Sequence, residues 1–285
     1  MAQQLPDFDS FGTSAISGHR SPEQAMAASQ AVLAADRQEI EPQIAPPPDL
    51  LVELEQGILR DGRRLRDAEV RELTGEDEEA LARIGTNWHR ILDALILRGV
   101  RNVGEEPMSR KVADELLMGD REALILAVRR ATFGDFVEFE GLPCPHCGEA
   151  VDLSLSLDDV PIVHLADRES TEFEVPLRKG ATAVVRLPTG RDQNAVASLK
   201  DATTAQQNTE MLRRCLLRVE SPDGGVTQGS LAVVRSMSMS DRLAVLEFMA
   251  VTQPGPRFNQ VMFTHQTCGQ EVPVPLSLAI LFRGL

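Results

Sequence analysis

Apolar positions in this chain follow two periods. After Cys147-Gly148, Val151, Leu153, Leu155 and Leu157 fall on every second residue, and after Cys268-Gly269 so do Val272, Val274, Leu276 and Leu278. A period of two puts one face of an extended strand against a core. Each run follows a second strand candidate, residues 135–141 with Phe136, Val137 and Phe139, and residues 257–263 with Phe258, Val261 and Phe263. Each pair predicts a β-hairpin with a cysteine at its tip. Strand-like stretches around the Asp61-Gly62 and Lys179-Gly180 turns predict two further hairpins, and helical spacing predicts helices over residues 76–100, 120–132 and 241–251. Residues 101–118 and 219–239 carry no clear period beyond a turn at Gly224-Gly225.

Compared with itself, the chain repeats. Leu73-Thr74-Gly75-Glu76-Asp77 returns as Pro188-Thr189-Gly190-Arg191-Asp192, 115 positions later. In both, Thr precedes a helix by one position and Asp sits three residues on, a variant of the capping box in which the acid is favoured by the helix dipole. Residues 91–98 align with residues 211–218, which sets Cys215 opposite Leu95 and gives it the reading of a small core hydrophobe. Asp120-Arg121 aligns with Asp241-Arg242, and Cys147-Gly148 with Cys268-Gly269. The expected architecture is α+β, made of internally duplicated β-hairpin, helix, helix, β-hairpin units joined by a split zinc ribbon. Its expected parts are a disordered arm over residues 1–50, a first repeat over 51–160 and a second over 161–285.

Composition changes this picture at the N-terminus. Six of the 17 prolines lie in the first 50 residues among Ala, Gln and Ser, ending in Pro46-Pro47-Pro48, as expected of an arm with at most one short helix from Ser21 to about Ala35. The net charge of −14 opposes the phosphate-tracking surface that nucleic acid requires. No apolar run reaches a membrane span, and the first residues lack a secretory pattern, so the expectation is a soluble protein of the cytosol that binds neither membrane nor nucleic acid.

The candidate chemistry lies at the two hairpin tips. The first reads Cys144-Pro145-His146-Cys147-Gly148 and the second His265-Gln266-Thr267-Cys268-Gly269. The repeat sets Cys144 on His265 and Cys147 on Cys268. Each tip offers two ligands with a two-residue gap, and two tips facing one another supply the four that tetrahedral zinc takes. Neither tip closes the site alone, and no fourth position stays open, so the expected metal is one structural zinc per chain. Glycine after each second Cys suits a tight turn whose amides point at thiolate sulfur. His146 reads as a solvent-facing turn residue and His19, His89 and His164 as structural or surface residues.

Two other readings use the same residues. Cys-Pro-His-Cys is also the setting of a thiol–disulfide oxidoreductase, but there the pair opens a helix whereas here a strand pattern follows. A zinc-ribbon nucleic-acid-binding module is disfavoured by the charge and by the scarcity of Trp and Tyr. No phosphate-binding loop, nucleophile elbow or zinc-protease motif is present, and Glu76-Asp77-Glu78-Glu79 is what a capped helix start favours. No catalytic residue is expected.

Arg71-Glu72-Leu73-Thr74-Gly75-Glu76-Asp77-Glu78, then Arg129-Arg130-Ala131-Thr132-Phe133-Gly134 ahead of the first cysteine tip, then Arg186-Leu187-Pro188-Thr189-Gly190-Arg191-Asp192, together resemble the T4-type baseplate family of contractile phage tails and phage-tail-like injection systems. The resemblance covers residues 51–285; the N-terminal arm and His265, in place of a fourth Cys, depart from the family pattern. It implies a non-enzymatic baseplate hub or tail-assembly protein. It also implies partners among the hub, spike, tube or tape-measure proteins, and a location in the cytoplasm during assembly or in the baseplate afterwards.

Overall fold

The computed structural model describes residues 50–85 and 87–282; the expected N-terminal arm and the short helix expected within it lie outside the described residues. The fold is α+β, with several small antiparallel sheets and short helices.

The chain opens with β1 (Leu50–Arg60) and β2 (Arg63–Val70), joined at Asp61-Gly62, where both residues take positive φ (48° and 76°). Two left-handed residues in succession match the twist of the flanking strands, which favours Asp-Gly there. Then come α1 (Gly75–Ala82), α2 (Trp88–Gly99), β3 (Val100–Val103), β4 (Glu106–Pro107), α3 (Arg110–Glu115) and α4 (Met118–Phe133). The first cysteine hairpin is β5 (Phe136–Pro143) and β6 (Ala150–Ser156), followed by β7 (Ile162–Val163).

The second half runs β8 (Phe173–Pro176), β9 (Thr182–Val185), α5 (Gly190–Ala197), α6 (Thr204–Cys215), β10 (Leu216–Glu220), β11 (Val226–Gln228), α7 (Leu231–Ser236) and α8 (Met239–Thr252). It closes with β12 (Gly255–Pro256), the second cysteine hairpin β13 (Met262–Thr264) and β14 (Glu271–Pro273), and α9 (Leu278–Leu281).

Two four-stranded sheets share one order, β1-β2-β3-β4 and β8-β9-β10-β11. In each, an irregularity falls where the second strand meets the third, between Glu69 and Val70 in one and between Leu216 and Arg218 in the other. The Lys179-Gly180 turn repeats the positive φ pair of Asp61-Gly62 (63° and 77°).

Several expected boundaries move. The helix expected over residues 76–100 is two helices, α1 and α2, separated around Gly85, which turns the chain with φ 72°. The alignment of residues 91–98 with 211–218 is one helical turn out. α2 and α6 begin and end 116 positions apart, so Cys215 stands at the last position of its helix, as Gly99 does, and not opposite Leu95. A slip of four residues leaves apolar positions on the same helix face, which is why pattern alone does not fix it. Cys215 is nevertheless fully buried, as expected of a core hydrophobe.

The second cysteine hairpin is shorter than expected. Residues 258–260 form a single 3-10 turn, and past Pro273 the hairpin keeps only the bond from Val274 N–H to Val261 O (2.9 Å), with Pro273 and Pro275 having no N–H to give. Ser277 then caps α9, its hydroxyl accepting from Ile280 N–H (3.3 Å). The unassigned residues 101–118 and 219–239 hold a strand turn and a short Ser-capped helix apiece, with Ser109 accepting from Val112 and Ser230 from Val233 (both 3.3 Å).

The larger core gathers β1, β2, α2 and α4 with residues from the end of the chain, Val261, Val274, Leu276, Leu281 and Phe282. A second core joins Val175, Val185, Leu212, Cys215, Val245 and Met249. The C-terminal hairpin therefore packs on the first half of the chain.

Candidate metal centre

The tip of each cysteine hairpin is a tight turn built by its own backbone. Cys144 N–H donates to Glu149 O and Gly148 N–H to Cys144 O (both 2.9 Å); His265 N–H donates to Gln270 O (2.9 Å) and Gly269 N–H to His265 O (2.7 Å). Gly148 and Gly269 close these turns at φ 77° and 68°, a region in which any other residue would be strained. The two tips thus share one geometry although one carries two cysteines and the other a histidine and a cysteine.

The four expected ligands meet. The nearest donor atoms of Cys144, Cys147, His265 and Cys268 all lie within 4.8 Å of one another. Cys144 Sγ and Cys268 Sγ are 3.8 Å apart; His265 Nδ1 is 3.4 Å from Cys147 Sγ and 3.2 Å from Cys268 Sγ. Zinc–sulfur bonds of ~2.3 Å and zinc–nitrogen bonds of ~2.0 Å at tetrahedral angles imply separations of ~3.8 Å and ~3.5 Å, so the donor set fits a tetrahedral ion. All three cysteines are free thiols. Cys144 and His265 are buried, Cys268 is half-buried and Cys147 is exposed.

The thiols differ in acidity. Burial raises the pKa of Cys144, but the N–H groups of Cys147 and His146 and the neighbouring thiols outweigh it and bring it to about 6. Cys147 receives the N–H of Glu149, yet desolvation and the anion forming on Cys144 push it above the ordinary thiol value. One thiolate forming ahead of its neighbours is a site ready for a cation, which removes the repulsion that holds the second proton in place.

His146 is not in the cluster. It is exposed, and its Nε2 lies 3.2 Å from Glu271 O of the opposite hairpin, a brace between the tips that sequence reading missed because the partner is a backbone atom. His164 pairs with Glu55 (2.6 Å), His89 is exposed, and His19 lies outside the described residues. Cys215 is apart from the cluster, and burial pushes its pKa to about 12. The Cys144–Cys147 pair sits between antiparallel strands, without the helix N-terminus that activates a redox dithiol.

The helix starts are the second built feature. Asp77 accepts from the N–H and hydroxyl of Thr74 (2.9 and 3.1 Å), from Arg71 at both oxygens (2.8 and 3.1 Å) and from Arg98 (2.9 Å). Asp192 does the same with Thr189 (2.9 and 3.0 Å), Arg186 (2.6 and 2.9 Å) and Arg214 (3.5 Å). Burial works to raise both carboxyl pKa values, and the guanidinium and Thr N–H donors overcome it and hold them below the ordinary range.

A family model described as T4 bacteriophage base plate protein matches residues 66–271, a span that contains both helix starts and both cysteine tips. The chain belongs to this family. Baseplate proteins work by association with other tail and baseplate proteins, so protein partners follow from membership. No curated protein and no solved structure is matched. Among the described residues no helix is long and apolar enough to cross a membrane.

Proposed function

We propose that this base plate family member is a non-enzymatic hub or tail-assembly protein of a contractile phage tail or phage-tail-like injection system. It would be a duplicated module, residues 51–160 and 161–285, whose repeats are clamped by one structural zinc on Cys144, Cys147, His265 and Cys268. The observation that carries this reading is the meeting of four donors from tips more than a hundred residues apart in sequence. Shared strand order, shared helix caps and paired Asp–Arg clusters support the duplication. A four-donor cluster leaves no coordination position for a substrate, so the metal's role is to fix two surfaces relative to one another. The partner surface is then composite. Hub, spike, tube or tape-measure proteins are its proposed partners, and nucleic acid is not.

Metal content and assembly test this together. Purified protein should carry about one zinc per chain. Cys268→Ala or His265→Ala should release it while keeping most secondary structure by circular dichroism, and should abolish tail assembly seen by electron microscopy. Cys215→Ala should keep the zinc. Normal tails from a zinc-free Cys144→Ala, Cys268→Ala double variant would end the clamp mechanism. Disulfide-transfer turnover lost in Cys144→Ser would install the oxidoreductase reading in its place.

A further inference from the structure

Within the chain, α5 is seated in a groove formed by α2, α3 and the start of α4. Two backbone bonds stitch it in: Met118 N–H donates to Pro188 O (3.1 Å) and Gly190 N–H to Leu116 O (2.9 Å), around a bridge between Leu117 and Thr189. Gly190 permits the approach, because a Cβ there would lie 2.5 Å from Ala113 O and 2.6 Å from Arg121 Nη1. The Asn194 amide donates to Asp114 (2.9 Å) and reaches Asp93 (3.5 Å). Arg121 braces the groove floor, bonding Ala113 O (2.9 Å) and Asp93 (2.5 Å).

The corresponding groove of the second half, among α6, α7 and the start of α8, is open, with a volume of about 1280 Å³. Its floor is braced alike, by Arg242 bonding Thr209 Oγ1 (2.7 Å) where Arg121 bonds Asp93. Met239 is 89% exposed and Leu243 55%. Met237 O and Met239 N–H, which match Leu116 O and Met118 N–H, have no hydrogen-bond partner among the described residues. The charge is reversed: Arg235 stands at the place of Asp114 and neutral Thr209 at that of Asp93.

The segment that corresponds to α5 is α1, with the same Thr cap and Asp–Arg cluster. It is more acidic, with Glu76 in the place of Arg191 and Glu79 in that of the neutral Asn194. Gly75 has normal helical surroundings and nothing within 4 Å of where its Cβ would be, so no contact within the described residues explains a glycine there. Glu76 and Glu79 are exposed.

We propose that the open groove receives α1 of a second copy of this chain, in a head-to-tail association that repeats between chains the contact α5 makes within one. Leu73–Gly75 of one copy would bridge to Met237–Met239 of the next, Gly75 would take the close approach that Gly190 takes, and Glu79 would pair with Arg235. An arginine at the Asp114 position faced by a glutamate at the Asn194 position is an opposite-charge pair where the inner contact has an amide on a carboxylate. Because the two surfaces differ, the contact is heterologous and propagates into a ring or an open array, according to the rotation between copies. This inference rests on the duplication in the proposal above and not on its metal.

Sedimentation of the full chain over a range of concentration and salt tests it. Wild type should associate with rising concentration, less so at high salt. Glu79→Arg and Arg235→Glu should each weaken self-association at least about tenfold. Mixed, they should associate about as wild type does, since the mixture offers the native Glu79–Arg235 pair at one contact and the swapped pair, Glu79→Arg against Arg235→Glu, at the next, and the two reversals in one chain should likewise restore association. Gly75→Leu, at an exposed helix start, gives a steric block independent of charge and should also weaken it. A chain that stays monomeric, an association untouched by all three single variants, or one lost only on deleting residues 1–49 would overturn the proposal. Zinc measured on the same samples separates the two readings: one zinc without association removes this contact alone, and association without zinc removes the clamp alone.

Discussion

The helix starts at Thr74 and Thr189 are chemically alike and structurally opposed. Each has Thr capped by an Asp three residues on, with that Asp held by two arginines. Around Asp192 the surface is pressed into the first half of the chain, with Gly190 against the Ala113 carbonyl; around Asp77 the equivalent surface is bare. Local sequence makes the motif, and the neighbour decides whether it becomes core or interface. The same contrast runs through the paired long helices. α4 is buried along most of its length, whereas α8 keeps Met239, Leu243 and Val251 exposed. α8 is apolar on its outer side as well as its inner one, which is the pattern of a helix covered on both.

The largest test of this contrast removes the acids. Asp192→Ala strands Arg186 and Arg214 and uncaps α5, and breaking such a buried cluster should cost about 3–5 kcal/mol in urea unfolding. Asp77→Ala should cost less, because the start of α1 is not packed at Gly75 as the start of α5 is packed at Gly190. Both carboxyls are held below their unfolded values. Their contribution is therefore present above about pH 4 and is lost as pH falls through the lower folded values, so acid should destabilise wild type more than either variant. Equal losses in the two variants would show that the inner seat adds nothing.

A second test adds one methyl group. Gly190→Ala must push apart Ala113 O and Arg121 and should cost about 1–3 kcal/mol, whereas Gly75→Ala in dilute solution should be neutral or stabilising by about 0.5 kcal/mol. The pair of unfolding curves reads the difference between a seated and an open helix start. Similar curves would sink the steric account of Gly190.

The smallest test compares Glu122 with its counterpart Leu243. Burial on α4 pushes the Glu122 carboxyl up to about 7, with Arg257 pulling the other way, while Leu243 stands exposed. A raised carboxyl favours the folded state less as pH climbs from its unfolded value near 4.5, and the full penalty stands above 7. Glu122→Gln should therefore stabilise at pH 8 by on the order of 1–2 kcal/mol and bring no gain below pH 4. A gain that does not vary with pH would deny the titration.

Asp120 and Asp241 show how far one motif can diverge once its surroundings differ. Asp120 turns both oxygens to the strand bulge at Gly57, accepting from the N–H groups of Glu55, Gln56 and Gly57 (2.7, 3.2 and 2.9 Å), and burial there raises its pKa. Asp241 accepts one backbone N–H, from Arg178 in the turn between β8 and β9 (2.9 Å), and stays near water. β1 has eleven residues and room for a bulge; β8 has four.

The sequence by itself determined the α+β class, the Asp61-Gly62 and Lys179-Gly180 turns, the two Thr-capped helix starts and the four members of the cysteine–histidine cluster. Each of these depends on residues near in sequence, or on a spacing the chain states twice. Tertiary structure decided the register of α6 against α2, because a four-residue slip preserves an apolar face and long-range contacts such as Arg214–Asp192 and Arg186 N–H to Cys215 O (3.0 Å) hold it. It decided that Gly255–Pro256 pairs with Ile162–Val163, a distant segment of the chain. It also decided that α5 is seated and α1 free, a choice made by packing between distant segments, which no local period records.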